Sequence, residues 1–293
     1  MFTFAKAEKK KSKLRLGLSA PSGGGKTYGA LLIAYGLVKD WSKIAVIDTE
    51  RGSAELYSDL GEYCAAQLTP PYTPQRYMEA IHSAEQAGFE VIIIDSLSHA
   101  WSGEGGMLEM QDMVAKASKS GNSYTAWREV TPLHNRLVDA ILQSPCHIIV
   151  TTRSKTEYVM QTENGKITPK KVGLSPVFRD GLEYEMTVFF DLSVDHTATA
   201  SKDRTRLFDG RYFTIDTTTG EQLANWLNNG AEITPMMCPK CSNEIKSVTC
   251  KDGNVLQPNQ ILSNYGCCAD CAKKEVEKSK INTASFGKTT TEA

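Results

Sequence analysis

The sequence predicts an α/β protein built on a mostly parallel sheet flanked by helices. Apolar strand-like runs alternate with helical patterns from Leu14 onward, and a glycine-rich turn joins the first run to a helix. The run FEVIIID at 89–95 is apolar at nearly every position, which is typical of a central parallel strand that is buried on both faces. With 293 residues and 41% hydrophobic residues, the chain can bury one large core and a smaller one.

The alternating elements occupy residues 14–228, which we predict to be one domain. Strands are predicted at 14–19, 43–48, 63–68, 89–95, 146–152, 183–195, 196–205 and 211–216. Helices are predicted at 26–39, 74–87, 126–143 and 220–228. Two connecting stretches, an irregular one at 99–125 and a polar, basic one at 153–179, are predicted to lie between them.

The ends of the chain differ in composition from this domain. Residues 1–13 contain five lysines and one glutamate, which predicts a basic flexible arm. Six of the eight cysteines lie in a separate module at 236–272. Residues 273–293 are rich in Lys, Glu, Ser and Thr, and we predict a disordered tail.

Charge and hydropathy exclude several functional classes. The net charge of −1 excludes coating of nucleic acid by bulk charge, although a local basic loop stays possible. No apolar run approaches the roughly 18 residues that a membrane helix needs, and the first residues do not resemble a signal peptide. We therefore expect a cytoplasmic protein without a membrane partner, in which clustered cysteines hold a metal rather than disulfides.

A phosphate-binding loop is predicted between the first strand and the first helix. Its residues are Ala20, Pro21, Ser22, Gly23, Gly24, Gly25, Lys26 and Thr27. The glycines let backbone N–H groups point at phosphate oxygens, and the helix N-terminus adds partial positive charge. Lys26 is expected to reach the β- and γ-phosphates of ATP, and the Thr27 hydroxyl to ligate Mg²⁺. Ala20 replaces the usual first glycine but is small enough for the turn.

Two acidic residues are candidates for the chemistry around a bound ATP. Asp95 ends the apolar strand VIIID, where a carboxylate lies at the phosphate-loop edge of the sheet and can hold Mg²⁺. Glu50 follows IAVID, at a position suited to a base that polarises the attacking water, or to a surface acid at a helix start. Asp48 either orients the loop or caps the residues that follow.

Four segments follow one another in the chain: APSGGGKT, IDTE, VIIIDS and a strand ending in TTR. In this order they resemble the RecA-like ATPase core, and the resemblance covers roughly residues 14–228. In that family the glutamate after the second strand is the catalytic base, which implies this role for Glu50. A polar sensor ends the strand that follows the aspartate strand in the family, and its candidates here are Thr151, Thr152 and Arg153. The segment SKDRT resembles the basic finger that, in this family, reaches the nucleotide of a neighbouring subunit. The resemblance implies this role for Lys202 and Arg204. It also implies a homo-oligomer, either a filament or a ring.

Within that family, the chain is most similar to phage-encoded ATPases of recombination and single-strand annealing, through SAPSGGGKT, LEYEMTVFFDL and SKDRT. This resemblance implies single-stranded DNA as a partner, with a single-strand-binding protein as a further candidate. It also implies the host cell's cytoplasm as the location. It places DNA at the stretches 99–125 and 153–179. Candidate contacts in the second stretch are Lys155, Lys166, Lys170 and Lys171. The alternative is a solvated hairpin with its turn at ENGK.

Two C-x-x-C pairs, CPKC and CADC, are separated by 26 residues. Four thiolates in this arrangement predict a structural zinc site of the ribbon type. Its ligands would be Cys238, Cys241, Cys268 and Cys271, with Cys267 as an alternative to Cys268.

The leading hypothesis is a Mg²⁺-dependent ATPase stimulated by single-stranded DNA. The alternative is a scaffold that switches shape with bound nucleotide, turns over little and has no direct role on DNA.

Overall fold

The computed structural model describes residues 6–118, 123–163, 166–231, 236–250, 255–256 and 258–276. The chain divides into two compact units, Met1–Ala231 and Glu232–Ala293. Among the described residues, no helix combines the length and the apolar composition that crossing a membrane requires.

Nine strands form the sheet of the larger unit within the described residues. They are β1 Arg15–Ala20, β2 Ile44–Asp48, β3 Cys64–Gln67, β4 Val91–Asp95, β5 His147–Glu163, β6 Lys166–Pro176, β7 Val188–Leu192, β8 Thr197–Asp203 and β9 Phe213–Thr214. Their order is β3-β2-β4-β5-β1-β7-β8-β9, with β6 paired only to β5. Six strands from β3 to β7 are parallel, whereas β8 and β9 are antiparallel.

The helices of this unit are α1 Lys26–Val38, α2 Pro74–Gln86, α3 Ser98–Ser102, α4 Met107–Ala117, α5 Ser123–Gln143, α6 Leu182–Glu185 and α7 Thr217–Asn228. Two short 3-10 helices cover Trp41–Lys43 and Ser53–Leu60. The predicted α/β class, with a mostly parallel sheet between helices, is confirmed.

Both faces of the central strands are buried, which explains their continuous apolar runs. One face packs with α1 and α7 into a core that contains Leu16, Leu18 and Phe190. The other packs with α2 and α5 around Ile92 and Ile148. These two cores hold the carboxyl ends of the parallel strands in register, so that the residues following those ends share one edge of the sheet.

The stretch 99–125 is not the irregular segment that the sequence predicts. It contains most of α3, all of α4 and the beginning of α5. In α4, the buried residues Met107, Gln111 and Ala115 recur every four positions, which is the spacing of one helix face. The glycines at 103, 105 and 106 end α3 and conceal this short helical pattern.

Two further segments differ from the predicted elements. β5 continues far beyond the predicted end at 152 and pairs with β6 to form an antiparallel hairpin at 154–176. The predicted strand 183–195 is divided into the short helix α6 and β7, which ends at Leu192.

The basic arm is partly held by the larger unit, in contrast to the prediction of a flexible segment over 1–13. Lys10 forms a parallel bridge with Ala231, and the Lys9 ammonium lies 3.8 Å from the ring centroid of Trp226. Residues 1–5 lie outside the described residues.

The smaller unit is built from short elements around a small apolar core. Its strands β10 Val248–Thr249 and β11 Val255–Leu256 are antiparallel, and α8 covers Pro258–Tyr265. Ile245 and Ile261 are buried with three cysteines. Residues 269–276 are helical, so the beginning of the predicted tail at 273–276 is part of a helix, whereas 277–293 lie outside the described residues.

Candidate nucleotide-binding site

The turn between β1 and α1 has the backbone that an anion-binding loop requires. Gly23 and Gly25 adopt φ values of 79° and 80°, which favour glycine, and α1 begins at the next residue, Lys26. No side chain caps this helix start, so its first N–H groups are available to a phosphate. A Cβ on Gly24 would lie 2.7 Å from that of Ala20, so the small residue at the start of the loop packs directly against the turn.

The Lys26 ammonium is folded onto this loop. It donates hydrogen bonds to the backbone oxygens of Ala20 and Pro21, both at 3.1 Å. Burial lowers the pKa of Lys26, although Asp95 and Glu50 oppose the shift. These carbonyl contacts hold the cation at the loop, where a bound polyphosphate can replace them.

Asp95 lies in contact with the beginning of α1, although β5 separates its strand from β1. The Thr27 hydroxyl donates to Asp95 Oδ2 at 2.5 Å, and the Thr151 hydroxyl donates to Asp95 Oδ1 at 2.5 Å. Burial raises the pKa of Asp95 above its ordinary value, while these two hydrogen bonds act to lower it. The structure therefore brings together the two residues predicted to hold Mg²⁺.

Glu50 lies at the same edge, and both oxygens of its carboxylate accept hydrogen bonds. Arg153 donates from Nε to Oε1 at 3.0 Å and from Nη2 to Oε2 at 2.6 Å, and the Ser96 hydroxyl donates to Oε1 at 3.0 Å. Partial burial acts to raise the pKa of Glu50, but the hydrogen bonds and charge of Arg153 outweigh burial and hold the pKa below its ordinary value. The carboxylate is therefore ionised and oriented.

Asp48 orients the segment that carries Glu50. Its carboxylate accepts a hydrogen bond from the Glu50 N–H at 2.6 Å and from the Ala54 N–H at 3.1 Å. Of the two roles left open by the sequence, these contacts support capping of the residues that follow β2.

A network behind Glu50 is not evident from the sequence. The Thr49 hydroxyl lies 2.7 Å from His99 Nδ1 and accepts a hydrogen bond from the Ser96 N–H at 2.8 Å. Tyr72 stacks on His99 with ring centroids 4.8 Å apart. These residues come from three separate segments, so no local pattern links them, and the network fixes the ends of β2 and β4 relative to each other.

A cavity of about 440 Å³ extends from the loop toward the last strands. Besides Gly23–Gly29, its walls include Tyr57, Leu192, His196, Thr214 and Ile215. No local sequence pattern identifies these residues, because they belong to elements far apart in the chain. Apolar and aromatic walls beside a phosphate loop suit a nucleoside.

A family model described as an AAA domain matches residues 12–223. The chain belongs to the AAA domain family. This assignment covers the loop, the two acidic residues and the strand of Thr151, and it indicates a nucleotide-binding ATPase domain. No curated protein matches the chain.

The predicted finger of this AAA domain lies away from its own loop. Lys202 and Arg204 both donate to the backbone oxygen of Tyr184, the arginine at 2.9 Å. The Arg204 N–H donates to Thr187, whose own N–H donates to Arg15 at the start of β1. The phosphate loop follows the other end of β1. Five residue steps along this strand, or about 16 Å, therefore separate the loop from the end of the sheet at which Arg204 lies.

The four predicted DNA-binding lysines lie in the hairpin of β5 and β6. Lys155 is exposed near its base. The side chains of Lys166, Lys170 and Lys171 lie outside the described residues.

The three polar-sensor candidates have different partners. Thr151 bonds to Asp95, Arg153 pairs with Glu50, and the buried Thr152 hydroxyl has no partner among the described residues.

The sulfur atoms of Cys238, Cys241, Cys268 and Cys271 lie within 4.8 Å of one another. The Cys241 and Cys268 sulfurs are 3.6 Å apart, and those of Cys238 and Cys271 are 4.0 Å apart. The Cys268 N–H donates to the Cys238 sulfur at 3.2 Å and lowers the pKa of that thiol. Cys267 points elsewhere, toward the Tyr265 backbone oxygen, so Cys268 is the member of this cluster.

Proposed function

We propose that this protein is a RecA-like ATPase that hydrolyses ATP with Mg²⁺ and acts on single-stranded DNA in phage recombination, annealing or repair. The observation that carries the ATPase proposal is the meeting of three groups at one sheet edge: the Lys26 loop, the Thr27–Asp95 contact and the Glu50 carboxylate.

Thr27 and Asp95 fit a Mg²⁺ ion, because both offer the hard oxygen ligands that this cation prefers. The ion, when bound, neutralises charge on the β- and γ-phosphates. The Thr27 hydroxyl donates to Asp95 at 2.5 Å, so the two oxygen ligands lie side by side.

Glu50 is the proposed base that polarises the attacking water, since its ionised carboxylate lies at the same edge of the sheet as Lys26 and Asp95. Thr151 is the proposed polar sensor, because it bonds directly to the carboxylate that holds Mg²⁺. Lys26 would exchange its two carbonyl partners for phosphate oxygens.

The proposed DNA-binding element is the hairpin 154–176, together with the stretch 99–125. The hairpin is a direct extension of β5, the strand that supplies Thr151 and Arg153 to the nucleotide site. Four lysines of this hairpin, Lys155, Lys166, Lys170 and Lys171, offer charge for the phosphate backbone. This continuity supports communication between DNA and ATP.

ATP turnover measured with and without single-stranded DNA tests this function.

DNA binding by the variant Lys166→Ala/Lys170→Ala/Lys171→Ala tests the hairpin as the DNA-binding element. This variant should bind DNA more weakly at all sequences and lose about 0.7 in log–log salt slope per contact. A matched control is Lys13→Ala/Lys39→Ala/Lys43→Ala, which removes equal charge at the opposite edge of the sheet. Equal affinity and slope in the hairpin variant and this control would exclude the hairpin as the DNA site.

The distance of Lys202 and Arg204 from their own loop supports a homo-oligomer in which they serve a neighbouring subunit. A filament or ring on DNA is the proposed assembly, in the cytoplasm of the host cell, with a single-strand-binding protein as a further partner.

A second candidate function is a nucleotide-switched scaffold with little turnover and no direct role on DNA. The observation that favours it is the Glu50–Arg153 pair, since a carboxylate whose oxygens are already bonded is a poor base. Turnover near zero both with and without DNA, combined with tight ATP binding, would support the scaffold.

The four clustered cysteines fit a structural Zn²⁺ site. A tetrahedral ion with Zn–S bonds of about 2.3 Å requires sulfur–sulfur distances of about 3.8 Å. The distances of 3.6 and 4.0 Å lie on either side of this value. Four thiolates leave no open coordination position, so the ion would stabilise the small unit.

A further inference from the structure

The turn between β7 and β8 lies against the phosphate loop. A Cβ on Gly24 would lie 3.4 Å from the Ser193 backbone oxygen, and a Cβ on Gly25 would lie 2.9 Å from His196 Nδ1. The imidazole of His196 is therefore next to the residue that directly precedes Lys26 and α1. No local sequence pattern indicates this approach, because the turn and the loop are far apart in the chain.

His196 is exposed and has a left-handed backbone conformation, with a φ of 65°. Side chains other than glycine rarely adopt this conformation. The turn imposes it, because the His196 N–H donates to the Ser193 oxygen at 3.1 Å and the Ser193 N–H donates to the Thr197 oxygen at 3.0 Å. The Thr197 hydroxyl donates to Asp195 at 3.1 Å and holds the turn further. Glycine would fit this turn with less strain, and strained residues cluster where a side chain serves a ligand.

The His196 ring lines the cavity of about 440 Å³ beside the loop. Beyond the loop itself, Leu192 and Ile215 give this cavity apolar walls, whereas Tyr57, Thr214 and His196 are its polar side chains. The imidazole has no hydrogen-bond partner among the described residues. Each of its ring nitrogens can donate or accept a hydrogen bond, depending on which of them carries the proton. A few polar groups among apolar walls are what orients a small ligand in its pocket.

We propose that His196 is a specificity-determining residue that forms a hydrogen bond with the nucleoside portion of ATP and so selects nucleotides over free polyphosphate. The proposal rests on the proposed function, because it concerns the same ATP site. Lys26 and the N–H groups at the start of α1 serve the phosphates. His196 lies where the cavity continues from the loop toward the apolar surface of Leu192 and Ile215, which suits a sugar and base rather than a phosphate.

The variant His196→Gly tests this role, because glycine keeps the left-handed turn and removes only the ring. Binding of ATP, ADP and inorganic triphosphate, each with Mg²⁺, is compared between the variant and the wild-type full-length chain. The Kd for ATP and the Kd for ADP should both rise about fivefold, as the loss of one hydrogen bond implies. The Kd for inorganic triphosphate should stay the same, because this probe has no nucleoside. The temperature of unfolding should be unchanged or raised, since backbone strain is relieved.

Lys39→Gly is the matched control. Lys39 is also exposed, has a φ of 57° and follows the far end of α1, outside the cavity. This control should bind all three probes like the wild type. Wild-type affinity of His196→Gly for ATP overturns the proposal.

Two other results would also overturn the proposal. An equal loss of affinity for ATP and inorganic triphosphate would place the ring on the phosphates, and a loss that accompanies a lower unfolding temperature would assign the ring to folding. A wild-type chain that binds neither ATP nor ADP would remove the proposed function and this inference together. If the wild type and His196→Gly bind both nucleotides equally, the inference alone fails and the proposed function stands.

Discussion

At the residue scale, the buried carboxylate of Asp95 depends on two hydroxyl donors. Thr27 and Thr151 each bond to one of its oxygens, and only 1% of the Asp95 surface is exposed. A buried carboxylate without donors is costly, since burial alone raises its pKa and favours the neutral form. The Thr151 hydroxyl therefore stabilises the carboxylate that we propose holds Mg²⁺.

We expect Thr151→Val to lower the free energy of unfolding by about 1–3 kcal/mol, because the shape is retained while a donor to a buried charge is lost. ATP turnover should fall as well, since Asp95 loses the bond that orients it. Thr151→Ser keeps the hydroxyl and is the control. Denaturant unfolding measures the difference, and equal stability of the valine and serine variants would contradict this role.

The sequence allowed prediction of the residues that follow strand ends, but not of their partners. Lys26, Thr27 and Asp95 follow from the spacing of a phosphate loop and an apolar strand. The pairing of Arg153 with Glu50 depends on two residues 103 positions apart meeting at one edge, which no local pattern encodes.

At the scale of elements, burial explains which predictions were correct. The parallel strands are apolar at almost every position because helices cover both faces, so β2 and β4 were predicted within a residue or two of their ends. The extension of β5 carries many polar residues and lies beyond the sheet, so hydropathy did not reveal it. Helix α4 is short and follows several glycines, which concealed its period.

The proposed basic finger consists of Lys202 on β8 and Arg204 just beyond its end. The proposal that it serves a neighbouring subunit has a testable consequence. A chain with Lys202→Ala/Arg204→Ala should still bind ATP through its own loop, and a Lys26→Ala chain should still offer its finger. Each variant alone should be nearly inactive, because an arginine supplied to the γ-phosphate contributes about 10³–10⁵ in rate. Mixed assemblies should recover turnover at interfaces that combine an intact loop with an intact finger.

Turnover of the mixture is measured after hetero-assembly is verified by differential tagging. No recovery under those conditions would mean that the pair acts within its own subunit or has no catalytic part.

At the scale of the whole molecule, the chain is divided into an AAA domain and a small unit with few buried apolar residues. A unit of this size rarely folds on its core alone, so the cysteine cluster is the expected source of its stability. The sequence predicted this cluster because the C-x-x-C pairs are local, whereas the choice of Cys268 over Cys267 required the backbone geometry of the turn.

Purified protein should therefore contain about one zinc ion per chain, as four thiolates around one ion imply. Cys238→Ser/Cys241→Ser should lose the metal and unfold the small unit, while ATP binding by the larger unit survives. Cys250→Ser removes a cysteine outside the cluster and should retain the metal. Metal-free protein in which the small unit is folded would exclude the zinc site.

The most direct test of the account is ATP binding and turnover by Glu50→Gln, with Lys26→Ala measured beside it. Glu50→Gln should bind ATP with wild-type affinity and lose about 10²–10⁴ in kcat, because the water loses the carboxylate that polarises it. Lys26→Ala should lose turnover through the loss of its contact with the γ-phosphate. Wild-type turnover by Glu50→Gln would contradict the account, because the carboxylate placed at this edge would then have no part in hydrolysis.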